Sequence, residues 1–473
     1  MKFQLGLAYF SAMLVFCPRL DAQPVSNTTL DDQTGIEVTV YNNNLALIKD
    51  IRKIQLAGGE GELRFMDVAS RIMPETVHVS AMKDPRRLEV LEQNYEYDLM
   101  NETKLLDKYV GKKIKIIDTR EFQDRKDVID ATLLSNNEGQ IYKIKDEIYL
   151  GYPGIKVLPQ IPENLIAEPT LAWHYLNQNE GAQEIEVSYL TEGLSWKADY
   201  VLVLDQEDAK SDLSGWVTVD NQSGAAYRNA GLKLVAGEVH RIEPEVREKF
   251  YMTAAPMAAK RAPQFEEKGF FEYYIYDLQR KTTLKDQEIK QISLLEAESI
   301  SVQKEFIVYG MNYYFTSFYG GELPKQPVDV FIKFKNAKEN ALGMPLPAGI
   351  MRFYKKDDKG KLQFAGEDRL EHTPKDEEVK LKLGRAFDLV AERKQIDFKQ
   401  LSTQAFESEW EIVLKNHKEK DEKVSVIEPL MGQWQILSNN LPFIKKDAHS
   451  IQFDVTVPKN GETKIAYRVR IGL

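Results

Sequence analysis

Short runs in which apolar and polar residues alternate recur along most of this 473-residue chain. A period of two is that of a β-strand with one buried face. Turn residues separate such runs at the spacing of about 8–12 positions that is typical of β-sandwiches. We therefore predict a mainly β fold, with two or three β-sandwich-like domains in tandem and few helices. Clear examples of the alternation lie at 36–40, 185–189, 328–334, 379–383, 410–414 and 465–471.

The pattern also predicts where domains begin and end. Residues 36–165 are expected to form an N-terminal β-rich domain with one helix. Residues 166–325 are expected to form a central β domain, and residues 326–473 a C-terminal β-sandwich domain. Within the central domain, residues 251–269 lack strand or helix periodicity, so this stretch predicts a mobile loop.

Two segments differ from the strand pattern. Residues 23–35 are mostly small and polar, and we expect a tether there. One helix is predicted over residues 101–110, because Asn101 can cap its amino terminus and Gly111 can end it.

The first strand is expected from Ile36, and a return strand is expected to follow from Leu45 after a turn at residues 42–44. Leu45 and Leu47, continued by Lys49 and Ile51, are expected to share one face of a strand. Alternation on both sides of the glycine-rich stretch 58–61 predicts a hairpin at that point.

The amino terminus predicts a secretory signal peptide over residues 1–22. Lys2 supplies a positive charge, and Phe3–Phe16 is an uncharged run shorter than the about 20 residues of a membrane-spanning helix. Ala22 is the small residue that a signal peptidase needs, so we place cleavage between Ala22 and Gln23. The expected location is the periplasm or the exterior, with no transmembrane span in the mature chain.

Cysteine usage and charge exclude several classes of function. Cys17 is the only cysteine, and it follows Phe16 where a lipid attachment site has a small residue, so a lipoprotein is not expected. Without Cys17 the mature chain can form neither disulfides nor thiolate metal sites. The formal net charge of −10 makes the chain a poor ligand for phosphate backbones. Nucleic acid is therefore not expected as a partner, whereas an envelope protein or polysaccharide is.

Seven long motifs are distributed over the mature chain: VYNNNLALIKD (40–50), GEGELRFMDVASRIMPETV (59–77), LEQNYEYDL (91–99), SYLTEGLSWKADY (188–200), LPAGIMRFY (346–354), GEDRLEHTPKDEEVKLKLGRAFDLVAERKQIDF (366–398) and NHKEKDEKVSVIE (416–428). With them, nearly all of the mature chain resembles one bacterial family. Its members are uncharacterised exported proteins that carry a domain of unknown function, and they are distantly similar to mucoidy inhibitor A-like proteins. The resemblance implies an envelope location and a β-rich fold, and it implies no activity.

Catalytic motifs are scarce. No two of the six histidines lie within ten residues of each other, which excludes a local zinc motif. Phosphate-binding glycine loops and the nucleophile elbow of hydrolases are absent from the sequence. We expect no cofactor and no metal site.

The remaining catalytic candidates are Glu367, Asp368 and His372. A carboxylic acid with a raised pKa and a partner base can hydrolyse glycosides. Adjacent residues on a strand point to opposite faces, however, and this favours a turn with a local ion pair.

An uncharged, glycine-flanked aromatic cluster is the most suggestive binding candidate. Such a loop can stack on sugar rings or anchor a protein partner, or its rings can cover the edge of a sandwich. Consecutive rings on a strand cannot all face one side, so at least one is expected to point away from the core. The rings are Tyr313, Tyr314, Phe315, Phe318 and Tyr319.

These features predict a non-catalytic exported cell-envelope protein with a binding or assembly role through loops on β domains. The alternative is a carboxylate-dependent hydrolase of envelope polysaccharide, which requires two carboxyl groups facing each other across a groove. A purely structural role through exposed edge strands is a third hypothesis.

Overall fold

The structure is a computed structural model that describes residues 24–98, 100–119, 126–162, 165, 168–179, 181–237, 264–270 and 273–473. The predicted signal peptide and its cleavage site lie outside the described residues. Most of the predicted mobile loop, residues 251–263, also lies outside them, whereas its end from Phe265 belongs to a strand.

The first half of the chain contains the one α-helix found among the described residues. This helix, α1, spans Glu102–Lys108, and 3₁₀ helices span Leu30–Asp32, Pro74–Thr76 and Pro85–Arg87. The strands are β1 Val25–Thr28, β2 Gln33–Tyr41, β3 Leu45–Leu56, β4 Gly59–Phe65, β5 His78–Ala81, β6 Leu88–Glu96, β7 Lys113–Thr119, β8 Lys126–Ser135, β9 Ile141–Ile144, β10 Glu147–Leu150, β11 Ile155–Val157, β12 Thr170–Asn177, β13 Gly181–Thr191, β14 Leu194–Leu204, β15 Lys210–Asn221 and β16 Tyr227–Ala236.

The second half is also built of strands, with 3₁₀ helices at Asn312–Phe315 and Lys338–Asn340. The mainly β prediction is therefore confirmed. The strands are β17 Phe265–Phe270, β18 Tyr273–Leu278, β19 Thr282–Leu284, β20 Glu288–Ser301, β21 Gln303–Tyr309, β22 Gln326–Lys335, β23 Gly349–Lys356, β24 Leu362–Leu370, β25 Glu378–Gln400, β26 Ala405–Asn416, β27 Glu422–Pro429, β28 Gln433–Asn439, β29 Ile444–Asp447, β30 Ser450–Val457 and β31 Gly461–Gly472.

The chain divides into two compact units. Unit 1 comprises residues up to Ile36 together with Ile48–Thr191, and unit 2 comprises Glu37–Leu47 together with Glu192–Leu473. The predicted domain boundaries near residues 165 and 325 stay predictions.

Unit 1 contains a four-stranded sheet in the order β1-β4-β12-β6 and a five-stranded sheet in the order β10-β9-β8-β7-β11. Helix α1 packs on the five-stranded sheet, because Leu106 belongs to the core that the sheet buries. The Asn101 side chain accepts a hydrogen bond from the Lys104 N–H at 2.9 Å, and Gly111 takes a positive φ of 81° after the helix. The predicted helix and both of its end signals are therefore confirmed.

Three local expectations in unit 1 differ from the structure. Part of the expected tether is the strand β1, which pairs in parallel with β4. The predicted hairpin is wrong, because β4 pairs with β1 and β12 and not with β3. The face predicted for β3 is also wrong, since the even-numbered positions from Ile48 to Leu56 are buried. The hairpin prediction failed because alternation specifies the faces of a strand and not its partner. The face prediction failed because two of the buried positions of β3 hold the charged residues Asp50 and Arg52.

Unit 2 contains a five-stranded sheet in the order β20-β15-β14-β23-β24 and a nine-stranded sheet in the order β28-β31-β26-β25-β22-β21-β27-β30-β29. Strand β16 pairs with β18 and, in parallel, with residues 37–41 of β2. The expected alternation of β22 is confirmed, because Val328, Val330, Ile332 and Phe334 are all buried.

The nine-stranded sheet curls so that its two halves share one core. Five strands separate β30 from β31 in the sheet order, yet the rings of Phe453 and Tyr467 lie 5.4 Å apart. Trp410 of β26 lies fully buried in the same core. Among the described residues, no helix combines the length and apolar character needed to cross a membrane.

Candidate functional site

Residues 309–321 are called the aromatic segment here. They lie between β21 and β22, which are neighbouring strands of the nine-stranded sheet. The segment contains the 3₁₀ helix Asn312–Phe315 and then turns at Gly320 and Gly321, whose φ angles are 69° and 133°. Only glycine adopts such angles readily, so the two residues permit a sharp return of the chain. The five candidate rings therefore lie on a helical turn and loop, not on a strand.

Two of the rings belong to the core. Tyr314 and Phe315 are buried and contact Trp410, with ring centroids 5.6 Å and 6.1 Å from it. Burial of one such ring stabilises a fold by about 1.5–3 kcal/mol. These two rings therefore anchor the segment.

Two other rings point into solvent. The expectation of at least one outward ring is confirmed, although the chain here is a 3₁₀ turn and loop and not a strand. Tyr313 is 56% exposed and Phe318 is 73% exposed. Tyr313 contacts the Tyr314 ring at 5.0 Å, and Phe318 lies 6.5 Å from Phe398 of β25. Tyr319 is half-buried between the two groups and packs on Trp410. Tyr313 and Phe318 are called the exposed rings below.

A buried ion pair lies beneath the segment. Arg393 of β25 donates two hydrogen bonds to Glu428 of β27, at 3.0 Å and 2.5 Å, and both side chains are 0% exposed. The guanidinium carbon lies 5.1 Å from the Tyr314 ring centroid and 5.8 Å from that of Trp410. Burial alone would lower the pKa of Arg393, but the attraction of Glu428 outweighs it and the pKa is raised.

Side-chain amides fasten the segment to this pair. Gln326 accepts a hydrogen bond from Arg393 at 3.0 Å and donates one to the Tyr314 hydroxyl at 2.9 Å. Gln395 accepts from the Tyr319 N–H at 2.8 Å and donates to the Ser317 carbonyl at 3.0 Å. Burial raises the pKa of Tyr314, so its phenol stays protonated at neutral pH.

Gly310 is needed at the start of the segment for a steric reason. A Cβ atom there would lie 2.3 Å from the Glu428 Oε2 atom. A larger residue would therefore push the segment away from the ion pair. Buried rings, amides and the Arg393–Glu428 pair together fix the backbone that carries the exposed rings.

The catalytic candidates lie elsewhere in unit 2. Glu367 and Asp368 belong to β24, so the expected turn at these residues is wrong, and His372 follows the strand. Asp368 accepts hydrogen bonds from the backbone N–H groups of Arg369 at 2.9 Å and Lys382 at 2.6 Å, which ties β24 to β25. Glu367 is exposed and faces Arg352 at 3.4 Å. His372 accepts a hydrogen bond at Nδ1 from the Ala348 N–H at 3.1 Å.

Each catalytic candidate thus contacts its own sheet or a neighbouring loop. Over the part of the chain that the structure describes, no group of three His, Cys, Asp or Glu side chains is arranged to hold a metal ion.

No protein-family model matches the chain, and no curated protein matches it. The relationship to mucoidy inhibitor A-like proteins remains a proposal.

The sequence reasoning missed the polar network beneath the rings. Leu389 and Ala391 point inward, and two further steps of the same alternation place Arg393 and Gln395 inward as well. Val424 and Val426 place Glu428 inward by the same rule. Charged residues normally mark an exposed face, so their residue types alone conceal this burial.

Proposed function

We propose that this chain is a non-catalytic exported protein of the bacterial cell envelope that binds an envelope polysaccharide through Tyr313 and Phe318. The observation that carries the proposal is the exposure of two rings on a segment fixed from below by a buried ion pair. A backbone that is already fixed loses little conformational entropy when its rings bind a ligand. Aromatic side chains in this state are suited to stacking on the apolar faces of sugars.

Several features support a binding role over catalysis. Asp368 and His372 are engaged in hydrogen bonds to backbone groups, which is how structural side chains behave. Exposed aromatic residues are also common where proteins meet a ligand or a partner. The signal-like amino terminus and the family resemblance favour the envelope as the location.

The test uses the purified mature chain and sedimentation with insoluble envelope polysaccharide. Changing Tyr313 and Phe318 together to alanine is expected to abolish co-sedimentation and to leave the melting temperature unchanged within a few degrees. Phe364→Ala is the matched control, because Phe364 is also an exposed ring but lies on β24. Full retention of the double variant on the polysaccharide would show that the exposed rings do not carry binding.

Export has a separate test. Intact-mass analysis of protein from the envelope fraction is expected to show a chain that begins near Gln23. Recovery of the full-length chain from the cytoplasm would contradict the predicted signal peptide, whatever the exposed rings bind.

A further inference from the structure

A second region of unit 2 brings three lysines together in a small cavity. The cavity has a volume of about 220 Å³ and lies where strands of the five-stranded and nine-stranded sheets meet. We call it the lysine cleft. Its charged and aromatic lining residues are Asp208, Lys304, Phe306, Lys355, Phe387 and Lys418.

One carboxylate organises two of the ammonium groups. Asp208 accepts hydrogen bonds from Lys304 and from Lys355, the latter at 2.6 Å. Burial would raise the pKa of Asp208, but these two lysines outweigh it and the pKa is lowered. Asp208 therefore stays ionised and holds both cations at the cleft. Each ammonium group has three N–H donors. Lys355 also donates to the Gln206 carbonyl at 3.0 Å, and both lysines still keep a donor for another partner.

The third lysine adds to the positive charge. The Lys418 ammonium lies 4.1 Å above the centroid of the Phe306 ring, and the Lys304 ammonium lies 5.5 Å from the same ring. Lys418 also contacts Glu422 at 3.0 Å. The cleft lining thus has three cations and one anion, in a chain whose overall charge is negative.

An outward aromatic ring lies at the same cleft. Phe387 is 95% exposed although phenylalanine is usually buried. Pro327 pairs with Val390 and Val328 pairs with Ala386, so three residues of β25 between those positions have no partner in β22. Such bulges are frequent beside binding sites, where they redirect a side chain. The bulge here delivers the Phe387 ring to the solvent side of the cleft.

We propose that the lysine cleft binds the carboxylate of an acidic sugar unit, with the Phe387 ring against the face of the sugar. Pockets for drug-sized ligands measure about 300–1,000 Å³, so this smaller cleft fits one acid-bearing ring and not a long segment. The lysines provide charge-assisted hydrogen bonds to the carboxylate. The site is separate from the aromatic segment, so it stands even if Tyr313 and Phe318 bind nothing.

The experiment is calorimetric titration of the full mature chain with trigalacturonic acid at low salt. The neutral galactose trisaccharide and inorganic phosphate are titrated in parallel. We expect trigalacturonic acid to bind, the neutral trisaccharide not to bind measurably, and added salt to weaken the complex. Phe387→Ala is expected to weaken binding about tenfold. A tenfold change in Kd corresponds to about 1.4 kcal/mol, which is the size of an aromatic stacking contribution.

Asp208→Asn is the sharper variant. Asp208 has a positive φ of 56°, which asparagine tolerates, so the turn is expected to be retained. Removal of the internal carboxylate releases one donor of Lys304 and one of Lys355, which keeps its bond to the Gln206 carbonyl. Trigalacturonic acid is then expected to bind severalfold more tightly. A cluster with a purely structural role would show no gain in affinity.

Two control variants test whether the effects are specific to the cleft. Lys325→Gln and Phe364→Ala change an exposed lysine and an exposed ring that do not line the cleft, and neither is expected to alter the affinity. The proposal is overturned if trigalacturonic acid fails to bind at millimolar concentration. It is also overturned if inorganic phosphate binds equally well and Phe387→Ala changes neither affinity, since the cleft would then be a simple anion site. If Asp208→Asn does not fold, Phe387→Ala still decides, because that ring is almost fully exposed.

Discussion

Each compact unit buries an arginine, but the two are used differently. In unit 1, Arg52 contacts Asp50 at 2.8 Å and donates to the backbone carbonyls of Thr28 at 3.1 Å and Met66 at 2.9 Å. Its guanidinium also lies 3.7 Å above the centroid of the Phe65 ring. Arg52 therefore ties the end of β1 to the end of β4 through main-chain atoms.

Arg393 in unit 2 has side chains as its hydrogen-bond partners. It pairs with Glu428 and Gln326, and the second of these also holds the Tyr314 hydroxyl. Main-chain acceptors tie Arg52 into the fold, whereas Arg393 supports a surface segment through a chain of side chains. A buried arginine is therefore informative about function only when its partners lead to the surface.

The largest effect is expected from Glu428→Gln. Removal of one member of a buried ion pair leaves the other charge uncompensated, which destabilises a protein by about 3–5 kcal/mol. Urea denaturation would measure this loss, and hydrogen exchange would place it in unit 2. The double variant Arg393→Met with Glu428→Met is expected to lose far less, since two apolar residues leave no buried charge. Equal losses for the single and double variants would contradict this account of the pair.

A slightly smaller effect is expected from Tyr314→Ala. The ring is 7% exposed, and removal of a buried aromatic ring costs about 3 kcal/mol or more. Tyr314→Phe keeps the ring and loses only the hydrogen bond from Gln326, so it is expected to cost about 1 kcal/mol. Melting curves of both variants would test this order. A negligible loss in Tyr314→Ala would show that the ring is not an anchor.

Asp50→Asn is expected to cost less than Glu428→Gln, about 2 kcal/mol. Arg52 keeps two backbone carbonyls and the Phe65 ring after the change, so its charge remains solvated by the protein. Hydrogen exchange should increase in β1 and β4 and stay unchanged in β25. If Asp50→Asn is as costly as Glu428→Gln, the difference between the two arginines disappears.

The two arginines also indicate how far the sequence could be read. Regular alternation predicted the buried faces of β2 and β22, because all of their inward residues are apolar. It failed for β3, where Asp50 and Arg52 occupy inward positions and made the opposite face look apolar. Two residues of opposite charge at positions i and i+2 of a strand can therefore indicate an ion pair on the buried face.

Other features could not be predicted from local pattern. Arg393 and Glu428 are 35 positions apart, and their pairing depends on the curl of the nine-stranded sheet. The lysine cleft combines Asp208 with Lys304 and Lys355, from three separate parts of the chain. The exposed aromatic rings were identified from composition, but which of them anchor and which protrude depends on the 3₁₀ turn at Asn312–Phe315.

The smallest effect on stability is expected from Tyr313→Ala combined with Phe318→Ala. Both rings are mostly exposed and make few contacts, so their loss should change the free energy of unfolding by no more than about 0.5 kcal/mol. Hydrogen exchange in β25 and β27 should be unchanged, because the Arg393–Glu428 pair and its amide partners remain intact. The variant therefore separates the two layers of the site: loss of polysaccharide retention with unchanged stability would assign binding to the exposed layer. A loss of several kcal/mol would instead mean that the exposed rings belong to the anchor, and the contrast with Arg52 would no longer hold.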